Sequence, residues 1–331
     1  MAKRRLLDIV EGFYQSHIIY HLHRHKLLER MISARHVSEL AKEFGYDQDL
    51  LSAIFEYIYQ TTDIFKRSSS GKYSINPRYR AYYHLGFHLD KFIGAYGPPV
   101  VQLEKSLRSN TLGRQFVDRK RQAEAYRIVE PKPIPIVLKT IQDRKMNSML
   151  DLGCGTAVIL RELCALDSDF QGYGVDSSKA MCKVARDSIS KLGLSDRIRI
   201  THTDARHIGT HLRPQVRDSI MSLHAKGIIN ELFRFGDKEA VSFLSKLKKL
   251  FPGRLLFVVD YYGKLTRVRK PLERHKHTLI HDLAQVVSAQ GVPPSDLTGW
   301  AKVYYAAGCS VEHAYEGEGE GVQWFVHLVR L

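Results

Sequence analysis

The segment Leu150-Asp151-Leu152-Gly153-Cys154-Gly155-Thr156-Ala157 holds the residue types and spacing best suited to chemistry. It closes an apolar run and opens a helical stretch at 158–166. Gly153 and Gly155 let the backbone turn sharply and approach a ligand without Cβ clashes. The helix start behind them offers free N–H groups. Asp176 follows the run Gly172-Tyr-Gly-Val175 and precedes Ser177. It stands about 20 positions past Gly155, where a nucleotide-binding unit places a carboxylate on ribose hydroxyls. A third run ends at His202-Thr203-Asp204-Ala205, where an acid can accept from the adenine amino group while its neighbours flank the ring. Together these residues predict a site for an adenosine-bearing cofactor. A nicotinamide dinucleotide site would need a third glycine where the chain has Val158. A plainer reading, a tight turn with helix-capping acids, would have to recur three times in the right order. Cys154, inside the glycine turn, reads as packing.

These residues need a sheet to hold them. From about residue 146 strand and helix patterns alternate, with apolar strands expected at 148–152, 171–175, 197–201, 219–223 and 254–259. Such alternation predicts an α/β domain with a parallel sheet covered on both faces. Residues 310–315 and 322–331 read as an antiparallel edge. The first 65 residues read as helices, with Asp47 as an acidic start for one of them. Short strands at 64–66 and 72–75 follow, joined by the turn Ser68-Ser-Ser-Gly71. Helices followed by a hairpin make a winged-helix pattern, used either for DNA binding or as a dimerisation and lid module. The expected organisation is a winged-helix-like dimerisation domain at 1–85, connecting helices at 86–140 and a cofactor-binding catalytic domain at 141–331.

The chain has 331 residues, 44% hydrophobic and 26% charged, enough for one large folded domain and a smaller one. No apolar run reaches membrane-spanning length, and no signal peptide is expected, so no membrane partner is predicted. Cys154, Cys164, Cys182 and Cys309 form no CxxC pair, which predicts reduced thiols and a cytoplasmic location. The net charge of +15 is spread along the chain, with clusters at 114–121 and 267–276. No basic run interleaves with aromatics, so a small molecule, not nucleic acid, is the expected partner.

DLGCGTA, GVDSS and HTDARHI resemble, in order and spacing, the signature of class I S-adenosylmethionine (SAM)-dependent methyltransferases. The resemblance covers roughly 146–260. It implies a Rossmann-like class I methyltransferase sheet with an N-terminal helical winged-helix domain, and SAM as cofactor. Asp151, Gly153 and Gly155 would cradle the methionine part, Asp176 with Ser177 would hold the ribose, and Asp204 with Ala205 the adenine. A homodimer through the N-terminal domain is implied by the same resemblance.

Beyond the expected fourth strand come His224-Ala-Lys226 and Asn230-Glu231; further on come His275, His277 and Ile280-His281-Asp282. This arrangement looks like the α-keto acid C-methyltransferases of the phenylpyruvate and 2-ketoarginine type. The resemblance implies metal ligation by Asn230, Glu231 and His281 around a divalent ion such as Fe, Zn or Ni. The family's histidine is replaced here by Asn230, for which His224 could substitute. A metal would polarise the ketone, and His281 or Asp282 would take a proton from the adjacent carbon. Arg121 and Arg127 are candidates for gripping a substrate carboxylate. The alternatives are an O- or N-methyltransferase with a histidine base and no metal, and a winged-helix DNA-binding regulator with a vestigial SAM fold. Methylation of RNA bases would need an asparagine-proline tetrad, but Glu231 follows Asn230.

Overall fold

Helical spacing of apolar residues produces the helices Leu6–Arg24, Leu27–Arg30, Val37–Phe44 and Gln48–Thr61 in the computed structural model. It describes residues 6–80, 83–109, 111–128, 135–269, 273–319 and 322–331. Asp47 caps Gln48–Thr61 as expected, its side chain accepting the Leu50 N–H at 2.7 Å. Strands β1 (Phe65–Arg67) and β2 (Tyr73–Ile75) then pair antiparallel, each starting one residue later than the sequence pattern suggests. Fully buried Phe55 stacks on Phe65 at 4.9 Å, tying the hairpin to the helices. These elements belong to the first of two compact units, Met1–Gly97 and Pro98–Leu331. No helix among the described residues is long and apolar enough to cross a membrane.

The second unit is built on a seven-stranded sheet. Its strands are β3 (Ser148–Leu152), β4 (Gln171–Asp176), β5 (Ile198–His202), β6 (Ser222–Lys226), β7 (Leu255–Tyr261), β8 (Ser310–Gly319) and β9 (Val322–Arg330). Their order is β5-β4-β3-β6-β7-β9-β8. The first five are parallel, and β9 and β8 complete the expected antiparallel edge. All residues of β3 and β7 are buried, as continuous apolar runs require in a covered parallel sheet. The strand order reverses between β3 and β6, which opens a crevice at their carboxyl ends.

One strand differs from expectation in a way that matters for the site. The fourth parallel strand is Ser222–Lys226, three residues beyond the expected 219–223. Pro214 starts a short helix that runs to Ser219. Ser148 then sets the strand's entry: its hydroxyl donates to the Ser219 carbonyl at 2.7 Å and accepts the Met221 N–H at 3.0 Å. His224 therefore lies within β6, opposite Asp151 of β3, and not in the loop beyond it.

The core behind β7 and β9 contains a polar group. His327 is fully buried and stacks on Phe325 at 3.8 Å. The Tyr262 hydroxyl donates to Glu316 and so receives the His327 Nε2 proton at 3.3 Å, while the Tyr304 hydroxyl reaches Nδ1 at 3.0 Å. Burial pushes the imidazole pKa down to about 3, so it is neutral in the fold. An unfolded histidine titrates near 6.5. Below that pH the unfolded chain binds a proton that the folded chain refuses, and stability falls as pH drops toward 3. Urea titrations should show this loss, and His327→Gln should make the slope between about pH 6.5 and about pH 4.5 shallower.

Candidate functional site

The glycine turn forms as its sequence suggests. Gly153 and Gly155 have φ of 68° and 53°, and Ala157 follows at 60°. A Cβ on Gly153 would come within 2.3 Å of the Ile228 side chain, whereas Gly155 faces open space. The turn is fastened to β4: the Cys154 N–H donates to the Val175 carbonyl at 2.9 Å, and the Gly155 N–H donates to Asp176 Oδ2 at 2.9 Å. Asp176 Oδ1 accepts the Ser178 N–H at 2.7 Å. Burial raises the Asp176 pKa and these two N–H groups oppose the rise. Cys154 packs as expected; its thiol is buried, and a Cβ on Gly174 would lie 2.8 Å from Sγ.

Ser177 lies just beyond β4, where its carbonyl accepts from His202 Nε2 at 3.1 Å. Asp204 caps the short turn Ala205–His207 after β5, and Ala205 is buried in the core. The Arg206 guanidinium grips the Asp204 carboxylate, with Nη2 at 2.6 Å from Oδ2 and Nε at 3.0 Å from Oδ1. Burial alone would raise the Asp204 pKa, yet the hydrogen bonds from Arg206 hold it below the usual carboxylate range. The three acids named from sequence thus stand at the carboxyl ends of β3, β4 and β5. Asp151 is the most enclosed of them: it is 2% exposed, and Oδ1 lies 2.7 Å from Nδ1 of buried His224. That pairing corrects the reading of His224 as a loop residue and engages its Nδ1 within the sheet. It points across the sheet at Asp151 because both occupy one register position.

Asn230 and Glu231 lie in the turn Ile229–Leu232 after β6. The Asn230 N–H donates to Asp260 Oδ2 at 3.1 Å, and Asn230 Oδ1 is buried without a hydrogen-bond partner. Half-buried Glu231 sits 3.7 Å from the Arg114 guanidinium. Burial raises its pKa; Arg119 and Arg114 oppose this. Asp260, next to last in β7, is pushed up to about 8 by burial. His281 packs edge-on against Tyr261 at 4.6 Å. Asp282 is fully buried and accepts the Tyr261 hydroxyl at 2.7 Å and the N–H groups of Lys264 and Leu265 at 2.7 and 2.8 Å. Its carboxylate holds the loop after β7, which corrects its assignment as a free base.

The expected metal centre does not fit this arrangement. Among the described residues no group of three or more His, Cys, Asp or Glu side chains could hold an ion. Asn230 lends only its backbone N–H to Asp260, Glu231 faces arginines, and His281 packs on a tyrosine. Arg121 pairs with Glu124 of its own helix, Arg119–Ile128. Arg127 lies in the same helix, with its side chain outside the described residues. Sequence reasoning missed Asp260, although a lone acid ending the apolar run Leu255–Tyr261 was a visible signal. It also missed Arg114 and Arg119, whose reach toward Glu231 has no local signature.

Comparison with known proteins bears on the fold. Residues 149–235 match a family model described as a methyltransferase domain. A release factor glutamine methyltransferase of Caulobacter vibrioides is 33% identical over 82 residues, 23% of this chain. The match spans only 28% of that relative's length. Among solved structures, the mitomycin 7-O-methyltransferase MmcR aligns with a TM-score of 0.71 at 16% identity, over 98% of this chain and 96% of its own. PigF, solved with SAH, aligns at 0.73 and 14% identity over 99% and 100%. The O-methyltransferase NcsB1 of neocarzinostatin biosynthesis, solved with SAM and a naphthoic acid, aligns at 0.64 and 14% identity over 96% of each chain. The fold is therefore the Rossmann-like methyltransferase fold behind a helical N-terminal region.

The buried Asp151–His224 pair should be costly to break from one side. His224→Leu should lower stability by about 3–5 kcal/mol, because it strands a buried carboxylate. Asp151→Leu combined with His224→Leu should cost less than the two single changes added together, as urea denaturation can measure.

Proposed function

We propose that this chain transfers the methyl group of SAM to a small-molecule acceptor. The observation that carries the reading is the open turn at Gly155, locked by its own N–H to the carboxylate that would take the ribose. The turn, with Asp151 beneath it, would take the methionine part, Asp176 the sugar and Asp204 the adenine amino group. Methyl transfer then requires in-line alignment of the acceptor with the sulfonium carbon.

The acceptor we favour is a small α-keto acid methylated on the carbon beside its ketone. Arg114 and Arg119, both close enough to influence Glu231, suit a substrate carboxylate. Glu231, with its raised pKa, is the group we assign to take the acceptor's proton. The resulting carbanion forms the new C–CH₃ bond as the S–CH₃ bond breaks, leaving S-adenosylhomocysteine (SAH). No step runs through a metal. Asn230 Oδ1, a buried acceptor, would orient the substrate.

Purified protein incubated with SAM and a panel of keto acids should yield products heavier by one CH₂ unit, with the new methyl on carbon by NMR. Glu231→Gln should lower turnover by about 100-fold or more, the range expected for loss of a general base. Methyl appearing on oxygen or nitrogen would replace the keto-acid reading; no SAM consumption with any acceptor would count against transfer itself.

The four cysteines are free and buried, which supports a cytoplasmic setting. The first helix also exposes Leu6, Leu7, Ile9, Val10, Phe13 and Tyr14, an apolar surface that a second copy of the chain would cover. Light scattering should give the mass of a dimer, and Phe13→Glu should shift it toward the monomer.

A further inference from the structure

Asp204 is the acid assigned above to the adenine amino group, and the structure shows that its neighbour governs it. The Arg206 backbone N–H and Nε both donate to Asp204 Oδ1, at 2.9 and 3.0 Å. Nη2 donates to Oδ2 at 2.6 Å, and Nε lies 3.1 Å from the same oxygen. The guanidinium is anchored on its far side, Nη1 donating to Glu239 at 2.8 Å. Lys246 donates to the Arg206 carbonyl, so the backbone of the turn is held as well.

A carboxylate offers about four lone-pair directions. Three donors reach it here, the single Nε–H being shared between both oxygens, which leaves room for one further donor. The bidentate fork also favours the ionised form, and an ionised carboxylate can only accept. A group restrained in this way welcomes a 6-amino purine, which presents N–H at that edge. It repels a 6-oxo purine, which presents a carbonyl oxygen there.

We propose that Arg206 is the positioning residue for base selection, holding Asp204 ionised and aimed so that the cofactor site accepts an adenine nucleoside and rejects its deaminated counterpart. The inference rests on the SAM reading above and adds a residue to it. Arg206 itself touches Asp204 and Glu239, so its influence on the cofactor passes through Asp204.

The test is calorimetric binding of SAH and of S-inosylhomocysteine, its 6-oxo analogue. The wild-type chain should prefer SAH by about 10- to 100-fold, the range for one hydrogen bond to a charged group. Arg206→Gln should weaken SAH while leaving the inosyl analogue nearly unchanged, so that the preference shrinks severalfold. Glu239→Gln, which frees only Nη1, should shrink it less, and it serves as the readout if Arg206→Gln does not fold. A folded Arg206→Gln with the wild-type preference, or one that loses both ligands by the same factor, overturns the proposal. So does a wild-type chain that binds both ligands equally. A wild-type chain that binds neither ligand instead brings down the SAM reading on which the proposal rests.

Discussion

The carboxylate of Asp176 joins the two sides of the crevice at the strand tips. One oxygen takes the N–H of Gly155 in the turn after β3, and the other takes the N–H of Ser178 at the start of the next helix. Without that acceptor the turn would carry an unsatisfied N–H at positive φ, and its tie to β4 would lose one of two bonds, the other being from the Cys154 N–H to the Val175 carbonyl. The N–H of Thr203 adds the tip of β5 by donating to the Asp176 carbonyl at 3.0 Å. Three strand tips are thus referenced to one residue, and the acids at those tips inherit their spacing from it.

Buried polar groups do similar positioning work elsewhere in the second unit. Asp151 and His224 satisfy one another between adjacent strands, beneath the turn. Asp282 gathers a phenol and two backbone N–H groups and so fixes the loop that leaves β7. Asp260 holds the backbone of Asn230, which places the turn carrying Glu231. Each is a short polar contact inside an apolar core, where an unmade hydrogen bond is expensive and geometry is correspondingly strict. A polar side chain whose lone pairs are filled inside the protein is thereby set apart from one whose lone pairs are not.

That division explains why residue type alone misassigned several candidates. A histidine or aspartate near the carboxyl edge of such a sheet has the chemistry of a base. Whether it acts as one depends on what fills its lone pairs. His224 and Asp282 are engaged by partners inside the protein, whereas Glu231 lies among cations that temper its burial.

The sequence by itself determined the alternation of strands and helices, the glycine turn and the acids at the tips of β4 and β5. These depend on chain-local facts: apolar runs, glycine's tolerance of positive φ, and the fixed number of residues between one strand end and the next. Local order also made the N-terminal helices, the cap at Asp47 and the following hairpin legible. Tertiary structure decided the rest. The entry of β6 moved by three residues because Ser148, more than 70 positions earlier, sets where the strand begins. That shift turned His224 inward onto Asp151, 73 positions away. The arginines at 114 and 119 met Glu231 only through folding, and Arg206 shows the limit from the other side. It stands two residues from Asp204 and in plain view, yet its grip depends on Glu239, 33 positions on, to hold the guanidinium in place. Partners far apart in sequence leave no periodic trace in it, and only the packed chain brings their charges and lone pairs within bonding distance.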